Sequence, residues 1–95
     1  MIKVLAACGN GMGSSMIIKM KIEEVLKELA VDYEIDHCSV GEGINRAKDY
    51  SLIIISEAFV NDFKVDPSKT KVVGLRNLLS TEEIREKVKV ALEEL

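Results

Sequence analysis

The chain has 95 residues, of which 47% are hydrophobic and 31% charged, and its formal net charge is −3 at pH 7. A chain this short buries a single hydrophobic core, so we expect one domain spanning residues 1–95. The acidic balance argues against nucleic acid or an anionic membrane surface as a partner, and no apolar run is long enough for a signal peptide or a transmembrane helix.

The amino-terminal half alternates between strand and helix patterns. Residues Ile2 to Ala7 form an apolar run that predicts a first, buried strand. Residues 14–30 follow with the periodicity of a helix, whose apolar face consists of Ile18, Ile22, Val25 and Leu29. Residues 31–38 then alternate mostly apolar with acidic side chains, which predicts a half-exposed strand at an edge of the sheet.

The second half predicts two further strands. A short, weak helix is expected at residues 43–48 and strands at residues 52–55 and 71–75, whereas residues 57–69 show no clear period. Parallel strands joined by crossover helices predict an α/β fold. We expect an open four-stranded parallel sheet in the order 2-1-3-4 with helices on both faces, a Rossmann-like three-layer sandwich similar to the small phosphatases.

The last helix has the clearest signal. Ser80 and Glu83 have the spacing of a capping box, in which each side chain caps the backbone N–H group of the other residue. They predict a helix whose apolar stripe consists of Ile84, Val88, Ala91, Leu92 and Leu95.

The most distinctive stretch is AACGNGMGSSM, residues 6–16, in which a glycine-rich turn joins the first strand to the first helix. In open α/β sheets ligands bind beyond the carboxyl ends of the strands, where the strand order reverses. The unpaired N–H groups and the dipole at the start of a helix attract an anion, and glycines let the backbone approach it closely. We therefore predict a phosphate-binding loop of Gly9, Asn10, Gly11, Met12, Gly13, Ser14 and Ser15.

Cys8 stands at the entrance to this loop. The field that favours a bound anion also favours a thiolate, so we expect a lowered pKa for the Cys8 thiol and a competent nucleophile. The alternative is that Cys8 is a small buried hydrophobic residue at a strand end, as free cysteines often are. Three glycines at alternate positions after it favour the functional interpretation.

Other phosphate-binding loops fit these residues less well. A Walker loop requires a lysine that is missing after Gly13, and a dinucleotide fingerprint requires G-x-G-x-x-G in place of the G-x-G-x-G found here. In a cysteine phosphatase loop, C-x5-R-[ST], an arginine stabilises the transition state, but Ser14 occupies that position. A phosphocysteine at Cys8 would therefore persist long enough to be transferred.

These residues resemble a known family. The stretches ACGNGMGSSMIIKMK (7–21), CSVGE (38–42) and VVGLRNLLS (72–80) are similar to the IIB components of the bacterial phosphoenolpyruvate-dependent sugar phosphotransferase system, most of all to the L-ascorbate-specific branch. The galactitol and lactose/chitobiose branches are similar in fold but have different loops. Outside the family, a small cysteine phosphatase or arsenate reductase and a non-enzymatic regulatory module remain alternatives.

The resemblance implies a phosphotransferase component without a cofactor. Cys8 would accept a phosphoryl group from a histidine of the IIA component and give it to the sugar bound by the membrane component IIC, with the loop from Gly9 to Ser15 holding the phosphate. The product in the ascorbate branch would be L-ascorbate 6-phosphate. Contacts with both partners need only be transient, so we expect a monomer.

The two cysteines, Cys8 and Cys38, lack the spacing of a disulfide framework, so we expect two thiols in a reducing compartment. The predicted location is the cytoplasm, with transient visits to the inner face of the membrane. His37 and Cys38 could be combined with Cys8 into a zinc site, but the spacing is irregular and a fourth ligand is missing, so we expect no metal.

A few further residues have two readings each. Met16 and Met20 lie opposite the apolar stripe of the first helix, where they would either dock partners or cover a neighbouring segment. Arg76 follows the fourth strand and would either assist the phosphoryl group or a partner, or be solvated or cap local carbonyl groups. Ser56 and Glu57 follow the third strand, and the sequence leaves open whether they reach the loop.

Overall fold

Strands and helices alternate along the chain, as the sequence pattern predicts. The computed structural model describes residues 1–7, 12–66, 68–77 and 79–94, with the backbone alone for residues 12–15. Its elements are β1 Ile2–Ala7, α1 Met12–Glu28, β2 Tyr33–Cys38, α2 Val40–Arg46, a 3-10 helix Ala47–Asp49, β3 Leu52–Ser56, a 3-10 helix Glu57–Asp62, β4 Lys71–Leu75 and α3 Thr81–Glu93. No helix in these described ranges is both long and apolar enough to cross a membrane.

The four strands form one parallel sheet in the order β2-β1-β3-β4, which confirms the predicted fold. The strand β1 pairs Ala7 with Cys38 of β2 on one side and Ala6 with Ile54 of β3 on the other. The strand order therefore reverses at β1. Both inner strands are apolar runs because helices cover both faces of the sheet.

Helices α1 and α3 cover one face of the sheet. Their buried side chains, including Ile22 and Val88, pack on Val4 and Leu52 of the strands. The opposite face is covered by α2 and the two 3-10 helices, where Ala47, Tyr50 and Phe63 are among the residues packed against alternate positions of β1 and β3, which are Leu5, Ala7, Ile53 and Ile55. Successive residues of a strand point to opposite faces, so each inner strand contributes to both cores.

The junction between α1 and β2 differs from the prediction. The helix ends at Glu28, and Ala30 adopts a left-handed conformation with a φ angle of 56°. The N–H groups of Ala30 and Val31 donate to the carbonyl oxygens of Lys27 and Leu26, each over 3.1 Å, which is the pattern of a Schellman turn. Residues 30 and 31 are therefore used by this turn, and β2 begins at Tyr33.

The second half contains two elements that the sequence pattern placed poorly. The predicted helix at residues 43–48 begins earlier, at Val40, because the Ser39 side chain caps it by accepting the N–H group of Glu42 over 3.4 Å. Residues predicted to lack a period form the 3-10 helix Glu57–Asp62. A Cβ atom on Gly74 would lie 2.5 Å from Val60 Cγ2, so this helix packs against β4 only because position 74 is a glycine.

The start of α3 makes half of the predicted capping box. Ser80 is the N-cap and its hydroxyl accepts the N–H group of Glu83 over 3.3 Å. The Glu83 carboxylate does not return the bond to Ser80, because it accepts N–H groups of the preceding loop instead. The buried stripe of Ile84, Val88 and Ala91 is confirmed, with Leu92 partly buried, and Leu95 lies outside the described residues.

Candidate functional site

The end of β1 and the start of α1 bracket the predicted site. The last residue of β1 is Ala7, which is fully buried, and α1 begins at Met12. Cys8, Gly9, Asn10 and Gly11 lie outside the described residues, and Met12, Gly13, Ser14 and Ser15 are described by their backbone as the first turn of α1. The helix therefore begins slightly before Gly13 or Ser14, the predicted start.

The electrostatics of the first turn of α1 suit an anion. The first N–H groups of a helix lack partners within it, and the helix dipole places partial positive charge at this end. The first turn of α1 contains no acidic residue that would neutralise this charge. An anion on the segment 8–11, which joins β1 to this helix, would meet backbone donors without requiring a lysine or arginine.

Two serines follow the strands that flank β1. Ser39 comes directly after Cys38, the partner of Ala7, and Ser56 is the last residue of β3. Each hydroxyl caps a short helix: Ser39 accepts the N–H group of Glu42, and Ser56 accepts that of Ala58 over 3.4 Å. The sequence analysis named Ser56 but missed Ser39, although S-V-G-E is a capping-box spacing that would have indicated it.

Close packing holds the end of β1 in place. A Cβ atom on Gly43 of α2 would lie 3.1 Å from Phe63 Cζ and 3.3 Å from Ala7 Cβ. The helix α2 can therefore lie close to β1 only because Gly43 has no side chain. This contact fixes the residue immediately before Cys8.

Arg76 and Glu57 form an ion pair at the same edge of the sheet. Arg76 Nε lies 3.7 Å from Glu57 Oε2, and the Arg76 side chain is 81% exposed. Of the alternatives for Arg76, the structure favours a solvated side chain with a local partner. Arg76 follows β4, which lies two strands from β1 and thus roughly 10 Å to the side of the strand that leads to Cys8.

Glu83 organises the loop after β4. Its carboxylate oxygens accept the backbone N–H groups of Arg76 over 2.7 Å and of Asn77 over 2.8 Å. These two bonds, with a smaller contribution from Lys87 at 3.1 Å, lower the pKa of Glu83 to about 2. The sequence analysis assigned Glu83 only to helix capping, because a carboxylate six or seven residues from its donors leaves no local pattern.

The exposed face of α1 is apolar. Met16 is 49% exposed and Met20 is 59% exposed, which confirms that both lie away from the core. Ile17, which was not singled out from the sequence, is 50% exposed beside them. Whether this face docks a partner stays a prediction.

The residues considered for zinc do not converge within the described structure. Cys38 is buried on the face of the sheet covered by α2, and His37 points to the opposite face because strand residues alternate. The described part of the chain holds no group of three His, Cys, Asp or Glu side chains placed to bind a metal ion. Cys8, the remaining ligand of that hypothesis, lies outside it.

Comparison with known proteins assigns the chain to one group. A family model described as "PTS system, Lactose/Cellobiose specific IIB subunit" matches residues 3–90. The ascorbate-specific PTS system EIIB components of Salmonella typhimurium (strain LT2) and Escherichia coli O157:H7 are each 40% identical over 79 residues, covering 83% of this chain and 77% of theirs. The solved lactose-specific IIB domain of Streptococcus pneumoniae has the same fold, with a TM-score of 0.68 at 23% identity over 98% of this chain and 96% of that one.

Proposed function

The chain belongs to the IIB subunit family of the sugar phosphotransferase system, and from that premise we propose that Cys8 carries the phosphoryl group. Members of this family are phosphotransferase components that work with IIA and IIC partners. The proposal takes residues 1–95 as one IIB domain that acts as a monomer at the inner face of the membrane. It takes L-ascorbate as the sugar, because curated relatives at 40% identity are named ascorbate-specific.

One observation carries the proposal: Cys8 follows the strand at which the sheet order reverses, and a helix begins four residues after it at Met12. This is where open α/β sheets bind ligands, and the start of a helix stabilises both a thiolate and a phosphate. The loop Gly9, Asn10, Gly11, Met12, Gly13, Ser14 and Ser15 would hold the phosphoryl oxygens through backbone N–H groups and side-chain donors.

The reaction consists of two phosphoryl transfers. In the first, the Cys8 thiolate attacks the phosphorus of the phosphohistidine on IIA, so that an S–P bond forms while the N–P bond breaks and the histidine keeps the electron pair. In the second, a sugar hydroxyl on IIC attacks the phosphocysteine, an O–P bond forms, and the thiolate is released. The hydroxyl proton leaves with a base or with solvent. Ser14 supplies no arginine-like charge, which disfavours attack by water.

The carrier step is tested by intact-mass measurement. Purified protein is incubated with phosphoenolpyruvate, the general phosphotransferase proteins and the cognate IIA. We expect an adduct of one phosphoryl group on the parent protein and on Cys38→Ala, but none on Cys8→Ala. Cys38 is a matched control because it is the second of the two cysteines and is buried in the core. An adduct that persists in Cys8→Ala, or rapid hydrolysis of an aryl phosphate by the isolated protein, would contradict the proposal.

The sugar is tested separately, in membrane vesicles that contain candidate IIC proteins. We expect phosphorylation of L-ascorbate to require this chain with an intact Cys8. Phosphorylation of lactose, cellobiose or galactitol, but not of L-ascorbate, would retain the carrier role and replace the substrate.

A further inference from the structure

A second cavity lies away from the predicted cysteine site. It has a volume of 350 Å³ and is lined by Ile44, Asn45, Ala47, Lys48, Lys64, Val65, Asp66, Lys69 and Thr70. Lys48 precedes β3, and Lys69 and Thr70 precede β4, so the cavity lies towards the amino ends of these parallel strands. The predicted phosphoryl site follows the carboxyl end of β1, at the opposite edge of the sheet. The cavity therefore does not belong to that site.

The cavity has an excess of positive charge. Lys48, Lys64 and Lys69 come from three different segments, and Asp66 is the one acidic residue in the lining. Within the described ranges, ion pairs engage Lys71 and Lys87 but none of these three lysines. Such a cluster is unexpected on a chain whose formal net charge is −3.

Asp66 is already used by its own turn. Its Oδ1 accepts the N–H group of Ser68 over 2.9 Å and the hydroxyl of Ser68 over 2.7 Å. These bonds from Ser68 lower the pKa of Asp66, which therefore stays ionised, but they direct the bonded oxygen to the turn and away from the lysines. The lysines retain their donors for a ligand.

The wall of the cavity is held in place before any ligand binds. The carbonyl oxygen of Asp66 accepts the N–H groups of Lys69 and Thr70, each over 2.9 Å. The Thr70 side chain is 3% exposed, and its hydroxyl donates to the carbonyl oxygen of Tyr50 over 2.8 Å. A ligand would therefore order lysine side chains but little backbone, which lowers the entropic cost of binding.

We propose that this cavity binds the phosphate dianion of a small phosphorylated metabolite. A volume of 350 Å³ lies in the range of small-molecule pockets, and three ammonium groups match the several oxygens of a phosphate. The apolar parts of Ile44 and Val65 and the amide of Asn45 would contact the organic part of an ester. The phosphate could be that of an ester or free inorganic phosphate, and the experiment separates these two sources.

The test is an NMR titration of backbone amide signals at low salt. The probes are D-glucose 6-phosphate, inorganic phosphate and, as the uncharged control, D-glucose. We expect saturable shifts confined to residues 44–48 and 64–70, with a Kd on the order of 1 mM, from the phosphate compounds alone. Tighter binding of the ester assigns the ligand to phosphorylated metabolites, and equal binding assigns it to free phosphate.

The variants decide whether the lysines are responsible. The double variant Lys64→Gln/Lys69→Gln should bind about tenfold more weakly, and Lys48→Gln should also bind more weakly. Lys89→Gln, which removes an exposed lysine from α3, should leave the affinity unchanged. No saturable shift, equal affinity in the double variant and in Lys89→Gln, or shifts confined to the start of α1 would overturn the proposal. These readouts do not depend on phosphotransfer, so this proposal and the role of Cys8 can fail separately.

Discussion

The two faces of the sheet are covered in different ways. On one face, the helices α1 and α3 bury large aliphatic side chains such as Ile22, Leu26 and Ile84. On the other face, α2 and two 3-10 helices use close approach at Gly43 and Gly74 together with side-chain hydrogen bonds. The first face therefore depends on buried apolar volume, and the second depends more on the exact fit of backbone and polar groups.

Tyr50 illustrates the second kind of face. Its hydroxyl donates to Asp36 Oδ2 over 2.9 Å and accepts a hydrogen bond from Arg46, whose guanidinium also lies 5.5 Å from the centre of the Tyr50 ring. Burial, and then the bond to Asp36, raise the pKa of Tyr50 to about 12. A short helix, a 3-10 helix and the edge strand β2 are thus joined by one polar cluster.

The largest expected effect is on the face covered by α1 and α3. Ile22→Ala should lower the free energy of unfolding by about 3 kcal/mol, because it removes buried methyl groups and leaves a cavity. Urea denaturation measures this change. Met20→Ala on the same helix is the control, since Met20 is 59% exposed, and should change stability by less than about 0.5 kcal/mol. Equal effects of the two variants would contradict the described packing of α1.

The next effect concerns close approach on the opposite face. Gly74→Ala should lower stability by about 2 kcal/mol, because the new Cβ atom would lie 2.5 Å from Val60 Cγ2 and 3.0 Å from the Glu57 backbone. Urea denaturation is again the measurement. Gly41→Ala is the matched control, since a Cβ atom on Gly41 would meet nothing within 4 Å, and should be neutral or stabilising. In a Val60→Ala background the cost of Gly74→Ala should fall, and an unchanged cost would disprove the contact.

A smaller effect is expected from the polar cluster. Tyr50→Phe should lower stability by about 1 kcal/mol at neutral pH through the lost hydrogen bonds. In the parent protein the folded state binds the Tyr50 proton more tightly than the unfolded state, so this contribution is complete below pH 10 and is lost as the pH rises from 10 towards 12. Thermal unfolding across this range should show a steeper loss in the parent protein than in Tyr50→Phe. Parallel pH profiles would contradict the described environment of Tyr50.

The smallest effect is a gain at the end of α1. Ala30→Gly should raise stability by about 0.5 kcal/mol, because Ala30 has a φ angle of 56° that glycine adopts without strain. Ala47→Gly on the opposite face is the comparison, since Ala47 is buried in a 3-10 helix and should lose stability. Differential thermal unfolding measures both variants, and a loss in Ala30→Gly would contradict the left-handed turn.

Much of the architecture could be predicted because it depends on local patterns. The apolar runs at β1 and β3 and the stripe of α3 are periodicities within single segments, and they indicated the sheet order and both helical layers. The 3-10 helix Glu57–Asp62 escaped prediction because its position depends on contact with Gly74. Glu83 escaped in the same way, since its partners Arg76 and Asn77 belong to a loop that only the fold brings to it.

The candidate site shows the same division. Cys8 and the glycines after it were evident from the sequence because a nucleophile beside an anion-binding turn is a contiguous motif. Ser39, the packing of Gly43 on Ala7 and the cavity formed by Lys48, Lys64 and Lys69 join segments that are distant along the chain. By itself the sequence determined the fold class, the family resemblance and the predicted nucleophile, since each is written in short-range order. Only the tertiary structure decided which charges and backbones meet, because those contacts exist only after the sheet has brought separate segments together.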